Sequence, residues 1–146
     1  MMGAGIARHM ASHGVQVTLV DNNEERLTRA AQANENKDLQ FTSDMTAIKD
    51  VDYVIEAVFE DFDVKTAVFT TLDAACGPDT ILASNTSSLS VNALAEATGR
   101  PDRFVGLHFF YHPAKNRLVE VIPAASSSPE TIEKVVQYCK MLGKVV

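Results

Sequence analysis

Short apolar runs rich in β-branched residues alternate along the chain with segments of helical periodicity. The runs that predict strands span residues 15–20, 39–42, 52–58, 80–84, 104–109 and 118–122. The longest helical pattern between them places on one face Val64, Val68, Leu72 and Ala75. Because strands separated by helices form βαβ units, this alternation predicts an α/β domain with a doubly wound, mostly parallel sheet.

Composition and charge narrow the class of protein. The chain has 146 residues, of which 46% are hydrophobic and 22% charged, so one globular domain with a substantial core is expected. The formal net charge of -6 and the lack of a dense Lys and Arg cluster argue against a nucleic-acid partner. No apolar run is long enough to cross a bilayer and no secretory signal is visible, which predicts no membrane partner and a cytoplasmic or organelle-matrix location, of which the cytoplasm is favoured.

The cysteines and the first two histidines do not form a metal-binding pattern. Cys76 and Cys139 lie far apart within amphipathic segments, which favours two buried thiols over a disulfide or a metal centre. His9 and His13 are four residues apart on a predicted first helix, but the sequence offers them no third ligand. A pair on the protein surface is therefore expected.

Both ends of the chain look interrupted. A doubly wound domain that binds a dinucleotide needs an apolar strand before its glycine-rich turn, yet residue 1 already stands at the turn. The missing first strand would lie in the middle of the sheet. Residues 143–146 resemble a strand that begins and does not continue. The sequence therefore predicts that residues 1–146 are one dinucleotide-binding domain, a fragment of a longer enzyme.

A glycine-rich helix start and a later carboxylate suggest the dinucleotide site. Gly3 has the position of the last glycine of a G-x-G-x-x-G turn, and Gly5 would let the helix pack close to the sheet. Asp21 follows a predicted strand 18 residues after Gly3, near the spacing at which a carboxylate binds an adenosine ribose. A carboxylate there repels a 2′-phosphate and no cation follows before Arg26, so NAD is predicted rather than its phosphorylated form. The alternative is a small-residue helix start, with Asp21 serving only as a cap.

A histidine and a carboxylate lie on the last two predicted strands. His108 and Glu120 are 12 residues apart, a spacing that brings them together if strands 104–109 and 118–122 pair as antiparallel neighbours. Oxidation of an alcohol needs a base for the hydroxyl proton, and a histidine oriented by a carboxylate suits that task while a cofactor takes the hydride. The alternatives are a core histidine with satisfied hydrogen bonds and a carboxylate on the exposed face of a strand.

Polar residues just past a strand end are further candidates. Asn85, Ser87 and Ser88 follow a predicted strand at its carboxyl end, where open α/β sheets bind ligands; turn formation and helix capping are the alternative. His112 lies in a polar turn, where it contacts either substrate or solvent. Lys115 in the same turn would be the base of a related hydroxy acid dehydrogenase that uses lysine.

Several motifs together resemble a known family. They are Glu56-Ala57-Val58-Phe59-Glu60, Lys65, Ala83-Ser84-Asn85-Thr86-Ser87-Ser88-Leu89, Gly106-Leu107-His108-Phe109-Phe110 and Leu118-Val119-Glu120-Val121-Ile122. In this order they resemble the amino-terminal domain of the L-3-hydroxyacyl-CoA dehydrogenases, and the resemblance covers most of the chain. It implies a Rossmann-type fold and NAD as the cofactor.

The resemblance also implies a reaction and roles for individual residues. The reaction is oxidation of a 3-hydroxyacyl-CoA to the 3-ketoacyl-CoA with NAD as acceptor, as in fatty-acid oxidation. His108 would be the general base, Glu120 its orienting partner and Ser87 the hydroxyl that contacts the 3-oxygen of the substrate. The dinucleotide site would be lined, besides the glycines, by Asp21, Ala57, Glu60, Lys65 and Asn85.

The chain departs from this family at three places. Tyr111-His112 follow the His-Phe-Phe motif, where family members commonly have Asn-Pro. The segment between Asp21 and Val54 is shorter than in typical members, which use a helical excursion there to contact coenzyme A. Residues 1–146 lack the helical carboxy-terminal domain that closes the site and forms a homodimer, so this stretch alone is expected to be a poor catalyst. Without its first strand it is expected to bind NAD weakly, if at all. Two other functions remain open: a domain that binds or senses NAD without catalysis, and a dehydrogenase of another 3-hydroxy acid.

Overall fold

A computed structural model of the chain describes residues 2–146, in which strands alternate with helices. The strands are β1 (Val17–Val20), β2 (Leu39–Thr42), β3 (Tyr53–Glu56), β4 (Ile81–Ser84), β5 (Phe104–Phe109) and β6 (Val119–Pro123). The helices are α1 (Met2–Ser12), α2 (Glu24–Gln32), α3 (Phe62–Ala75), α4 (Val91–Glu96) and α5 (Pro129–Met141). All the predicted strands are confirmed, with their ends shifted by no more than one or two residues.

The strands of residues 2–146 form two sheets. In the first, β1 pairs with β2 in parallel; the second has the order β3-β4-β5-β6, in which β6 alone is antiparallel to its neighbour. Residues of α1 and α5 pack on one face of the second sheet, and residues of α3 and α4 pack on the other. Helices on both faces of a mostly parallel sheet define a doubly wound α/β fold, so the predicted fold class is confirmed.

Helix starts follow the local chemistry of the sequence. In α2, α3, α4 and α5 the residue before the first turn has an extended backbone, and its side chain accepts a hydrogen bond from the backbone N–H three residues later. The four capping residues are Asn23, Asp61, Ser90 and Ser128. Each such cap stabilises its helix by roughly 1 kcal/mol, because it satisfies an amide that the helix itself leaves free.

The face that α3 presents to the core differs from the prediction. Lys65, Phe69 and Leu72 are buried, whereas Val64, which was predicted to face the core, is 42% exposed. The helix is thus rotated by about one residue relative to the apolar pattern. The physical reason is that the ammonium of Lys65 pairs with the buried carboxylate of Glu56 beneath the helix. A prediction from the periodicity of apolar residues places a lysine on the exposed face and therefore misses this burial.

The histidine pair on α1 also differs from the prediction. His13 is exposed, but His9 is buried, and its Nε2 hydrogen-bonds the carbonyl oxygen of Leu142 at 3.0 Å. Burial lowers the pKa of His9 and the nearby Lys144 charge lowers it further, so the imidazole is neutral at neutral pH. The expected surface pair is therefore wrong for His9, because the end of α5 lies against this side of α1.

Both cysteines are buried free thiols, as predicted. Cys76 joins the apolar cluster beneath α3 and α4, and Cys139 joins the cluster beneath α1 and α5. Burial raises the pKa of Cys139 to about 11, which leaves the thiol protonated at neutral pH. Within residues 2–146 no helix has both the length and the apolar character that crossing a bilayer requires.

Helix α1 spans the interval between the two sheets. Its residues Ala7 and Ala11 pack with Leu39 of the first sheet, while Ile6 packs in a cluster with Ile55 of the second. Among residues 2–146 no backbone hydrogen bond joins β1 to β3, and the side chains of both strands are mostly half-exposed.

Candidate active site

A histidine and a carboxylate meet across the antiparallel pair β5 and β6. His108 and Glu120 stand directly opposite each other in the strand register, and His108 Nδ1 is 3.0 Å from Glu120 Oε2. The two side chains are 17% and 50% exposed, so the imidazole reaches the surface from a partly enclosed position. The strand pairing and the contact that the spacing predicted are both present.

This hydrogen bond decides which ring nitrogen of His108 is free. An ionised carboxylate only accepts, so Nδ1 carries the proton and donates it to Glu120. Nε2 then holds a lone pair, and no group within residues 2–146 forms a hydrogen bond to it. The ring of Phe110 packs against the imidazole with centroids 4.4 Å apart and restricts its rotation. The pair is therefore arranged to accept a proton at Nε2 and to stabilise the imidazolium that forms.

Gly106 allows α4 to pack onto β5 beside this dyad. A Cβ at this position would lie 2.8 Å from Val91 Cγ2 and 3.1 Å from Ile122 Cβ, closer than side chains tolerate. The glycine thus permits close contact between the strand pair and the first residue of α4. An open groove of about 270 Å³ lies between the end of β6 and the segment that precedes α4, which includes Ser87.

Ser87 is held by a carboxylate from the turn after β3. Glu60 accepts hydrogen bonds from Thr86 Oγ1 at 2.5 Å and from the backbone N–H of Ser87 at 3.2 Å, and its Oε2 is 3.4 Å from Ser87 Oγ. Partial burial acts to raise the pKa of Glu60, but these hydrogen bonds and the charge of Lys65 together lower it below its ordinary value. Glu60 is therefore ionised at neutral pH and fixes the backbone from which the Ser87 hydroxyl projects.

Asn85 connects the ends of three neighbouring strands. Its backbone N–H donates to the carbonyl oxygen of Glu56 at 2.8 Å, and its Oδ1 accepts from the backbone N–H of Phe109 at 2.8 Å. The side chain thereby continues the ladder between β4 and β5 at the residue next to His108. Asn85 was predicted to bind the cofactor, and the structure adds a contact that supports the backbone of the dyad.

Lys65 lies beneath the turn after β3 and not along its surface. Its Nζ is 2.7 Å from Glu56 Oε1, and the two side chains are 1% and 0% exposed. The direct cofactor contact that the family resemblance implies would therefore need an exposed atom that Lys65 does not have. The ammonium instead pairs with the carboxylate of Glu56, which accepts a hydrogen bond from the turn that carries Ala57 and Glu60.

Asp21 stands at the carboxyl end of β1 with its carboxylate partly exposed. Oδ1 accepts from the backbone N–H of Asn23 at 2.9 Å, and Oδ2 lies 3.2 Å from Arg26 Nε. Each oxygen retains a lone pair, so the carboxylate can still accept hydrogen bonds from a ligand hydroxyl. Asp21 can therefore hydrogen-bond the start of α2 and still bind a ribose of the cofactor, so the two interpretations are compatible.

The two glycines of α1 meet different neighbours. A Cβ at Gly3 would lie 3.6 Å from the Cβ of Ala57, which follows β3, so the helix starts at the carboxyl edge of the second sheet. A Cβ at Gly5 would lie 3.4 Å from the Pro113 ring, in the turn between β5 and β6. Gly5 therefore packs against that turn, and the prediction that it serves contact with the sheet is wrong, because the position of Pro113 depends on the tertiary fold.

These residues suit a dinucleotide. The amino end of α1, which carries Gly3 in its first turn, is the kind of helix end that favours an anion, and Asp21 offers a carboxylate to ribose hydroxyls. Both lie at carboxyl ends of parallel strands, on either side of the interval between the sheets, which is where doubly wound folds bind nucleotides.

Comparison with known proteins identifies the family. The family model described as 3-hydroxyacyl-CoA dehydrogenase, NAD binding domain, matches residues 1–38 and 33–146. The chain belongs to this family. The two matches overlap at residues 33–38, within the segment between Asp21 and Val54. The family's cofactor is NAD, and its Rossmann-type fold is the one observed here.

Relatives with curated names agree with this membership. The mouse mitochondrial hydroxyacyl-coenzyme A dehydrogenase is 37% identical over 170 aligned positions, which cover 99% of this chain and 54% of that protein. The guinea pig peroxisomal bifunctional enzyme is 36% identical, over 99% of this chain and 22% of that protein. The chain thus spans about half the length of the first and about a fifth of the second.

Solved structures show the same fold. The 3-hydroxybutyryl-CoA dehydrogenase of Escherichia coli K12 superposes with a TM-score of 0.93 at 37% identity, over 98% of this chain and 34% of that one. The 3-hydroxyacyl-CoA dehydrogenase of Archaeoglobus fulgidus superposes with a TM-score of 0.92 at 34% identity, over 99% of this chain and 51% of that one.

Sequence reasoning quoted Gly106, Ser84 and Glu56 only as parts of motifs and gave none of them a role. Gly106 lies in the middle of a predicted strand, where a glycine is unusual and signals a close approach of another element, so it could have been found. Glu56 and Ser84 end their strands on the same face, but their contact depends on the parallel pairing of β3 with β4. Only the tertiary structure brings them together.

Proposed function

We propose that the chain supplies the catalytic half of an NAD-dependent dehydrogenase that oxidises a 3-hydroxyacyl-CoA to the 3-ketoacyl-CoA. The observation that carries this proposal is the hydrogen bond between His108 Nδ1 and Glu120 Oε2, which leaves Nε2 free to take a proton. Family membership and relatives named as dehydrogenases of hydroxyacyl-CoA and hydroxybutyryl-CoA support the substrate class.

Individual residues of this chain would have the following roles in the reaction. His108 Nε2 accepts the proton of the 3-hydroxyl, and Glu120 stabilises the resulting positive charge. Ser87, whose hydroxyl donates to Glu60 Oε2 at 3.4 Å, would turn this O–H to the same substrate oxygen while Glu60 keeps its backbone N–H in place. NAD, when bound, supplies the acceptor for the hydride. Asp21, Gly3 and the turn after β3 would orient the dinucleotide.

Activity of the full-length natural protein tests this assignment directly. We expect NADH absorbance to rise when the protein is mixed with NAD and 3-hydroxybutyryl-CoA or a longer 3-hydroxyacyl-CoA. The free 3-hydroxy acids are the matched comparison, because the shortened segment between Asp21 and Val54 gives a specific reason to consider another 3-hydroxy acid. Turnover of the free acids with no turnover of the thioesters would contradict the coenzyme A assignment.

The preference for NAD is expected to depend on Asp21. In Asp21→Ser the carboxylate that repels a 2′-phosphate is lost and Arg26, now unpaired, can attract one. We expect the ratio of kcat/KM for NADP to that for NAD to rise by about 10- to 100-fold, the range expected for a hydrogen bond to a charged group. The double variant Asp21→Ser/Arg26→Gln should lose the gain for NADP. A ratio unchanged by Asp21→Ser would contradict this role.

A further strand, a further domain and the location in the cell are also part of the proposal. The unpaired facing edges of β1 and β3 support a further strand between them, supplied by residues outside this stretch. The fractions of the relatives that the chain covers are consistent with a further domain, and a homodimer formed through it stays a prediction. The cytoplasmic location also stays a prediction, since relatives carry mitochondrial and peroxisomal names.

A further inference from the structure

We propose that Glu56 is a positioning residue of this site: its buried carboxylate locks the turn after β3 to the end of β4 and so sets where Glu60 holds Ser87. The inference rests on the proposed function, because it concerns how that site is held in its working arrangement.

The carboxylate of Glu56 receives three hydrogen bonds from three different parts of the chain. Oε1 accepts from Lys65 Nζ of α3 at 2.7 Å and from the backbone N–H of Val58 at 2.6 Å. Oε2 accepts from Ser84 Oγ of β4 at 2.6 Å. Because a carboxylate accepts in fixed directions, these bonds define the relative positions of the helix, the turn and the strand.

Stability alone does not explain an ion pair at this depth. Removing two charges from water is costly, and apolar side chains of the same volume often stabilise a protein equally well. Directional hydrogen bonds differ from apolar packing in that they select one geometry. The pair of Glu56 and Lys65 lies at the carboxyl edge of the sheet, directly below residues that are predicted to contact ligands. At this place a single fixed backbone geometry is needed to hold those residues in position.

A short series of contacts leads from Glu56 to the substrate side. Val58 is fixed by the Glu56 carboxylate, and its carbonyl oxygen is also 3.4 Å from Lys65 Nζ, so both polar groups of this residue are held. The same turn continues to Glu60, which accepts from the Ser87 backbone. A displaced turn would therefore move Ser87 together with Ala57, which lies against the start of α1.

The first test is Glu56→Gln in the full-length natural protein. The glutamine keeps the size of the side chain but removes the negative charge that pairs with the buried ammonium of Lys65, and its amide NH₂ reverses the direction of the hydrogen bond with Ser84 Oγ. We expect the Kd for NADH, measured by fluorescence titration, to rise about tenfold and kcat to fall about tenfold. The pH profile of kcat should keep its shape, because the His108–Glu120 pair is untouched.

Two further variants separate positioning from stability. Glu56→Gln/Lys65→Met removes both charges, so we expect it to recover the Tm lost by the single variant while NADH affinity and kcat stay impaired. Asp73→Asn breaks the other ion pair of α3, which joins Asp73 to Arg100 away from this edge. It should lower Tm without changing Kd or kcat. Recovery of Kd and kcat along with Tm in the double variant would overturn the proposal.

Ser84→Ala covers the case in which Glu56→Gln does not fold. It removes the bond to β4 alone and leaves the ion pair intact. We expect a lower kcat, with Tm lowered by a few degrees because Glu56 Oε2 loses its donor; a wild-type kcat would overturn the proposal. Failure of the wild-type protein to oxidise any 3-hydroxyacyl-CoA would overturn the proposed function instead. The NADH titrations would still decide whether Glu56 positions the turn.

Discussion

Replacing His108 with alanine is expected to lower kcat by about 10²- to 10⁴-fold, the contribution typical of a general base. The imidazole supplies the only nitrogen of the dyad that can take the hydroxyl proton, and Glu120 cannot replace it from 3.0 Å behind the ring. The measurement is NADH formation from a 3-hydroxyacyl-CoA, together with a fluorescence titration of NADH. The affinity for NADH should stay near that of the wild type, since the residue lies on the substrate side of the proposed site.

Controls distinguish a catalytic histidine from a structural one. His13→Ala removes an exposed imidazole at the far end of α1 and should leave both kcat and NADH affinity unchanged. Glu120→Gln keeps His108 but weakens its orientation and its stabilisation as a cation, so a smaller loss of kcat is expected. If His108→Ala retains wild-type kcat, the dyad is not the base. The alternative function, a domain that binds or senses NAD without catalysis, would then be favoured.

Replacing Arg100 with methionine is expected to cost about 3 kcal/mol of the free energy of unfolding. The guanidinium contacts Asp73 Oδ1 at 2.7 Å and also donates to carbonyl oxygens after the end of α3, those of Cys76, Gly77 and Thr80. Its removal leaves a partly buried carboxylate and several carbonyl oxygens without their donor. Since Asp73 is still partly exposed to water, the lower end of the range for broken buried pairs applies.

Urea unfolding of the two variants Arg100→Met and Arg103→Met measures this effect. Arg103 pairs with Asp79 at 3.3 Å, but Asp79 is 90% exposed and Arg103 is 34% exposed, so the replacement of Arg103 should cost no more than about 1 kcal/mol. A chain of this size should also show Tm lowered by roughly 6–12 °C for Arg100→Met. An equal loss of unfolding free energy in the two variants would contradict the conclusion that the largely buried Arg100 stabilises the end of α3.

Some of the site could be predicted because it depends on local pattern. The dyad followed from two strands joined by a short turn: antiparallel neighbours place residues at a fixed spacing opposite each other. The position of Asp21 just after a strand was predicted in the same way, and its contact with the cofactor stays a prediction. The helix caps at Asn23 and Ser128 are equally local, because capping involves only residues three apart.

Other features could not be predicted, because they depend on partners distant in the chain. The rotation of α3, the burial of His9 and the packing of Gly5 on Pro113 each arise where another element covers the residue. Arg100 finds its carboxylate 27 residues earlier in the sequence. Nothing in the local pattern around a lysine or an arginine indicates that it will be buried, since burial of a charge is tolerated only when folding delivers the partner.

By itself the sequence determined the α/β class, the order of strands and helices, and the two residues of the dyad, because hydrophobic periodicity, capping and antiparallel register act over short distances. The tertiary structure alone decided which face of α3 is inward and which charges are paired. It also decided that the residues at three strand ends, Glu56, Asn85 and His108, become neighbours at one edge. That edge exists only after parallel strands far apart in the chain have paired, and local patterns do not encode such pairing.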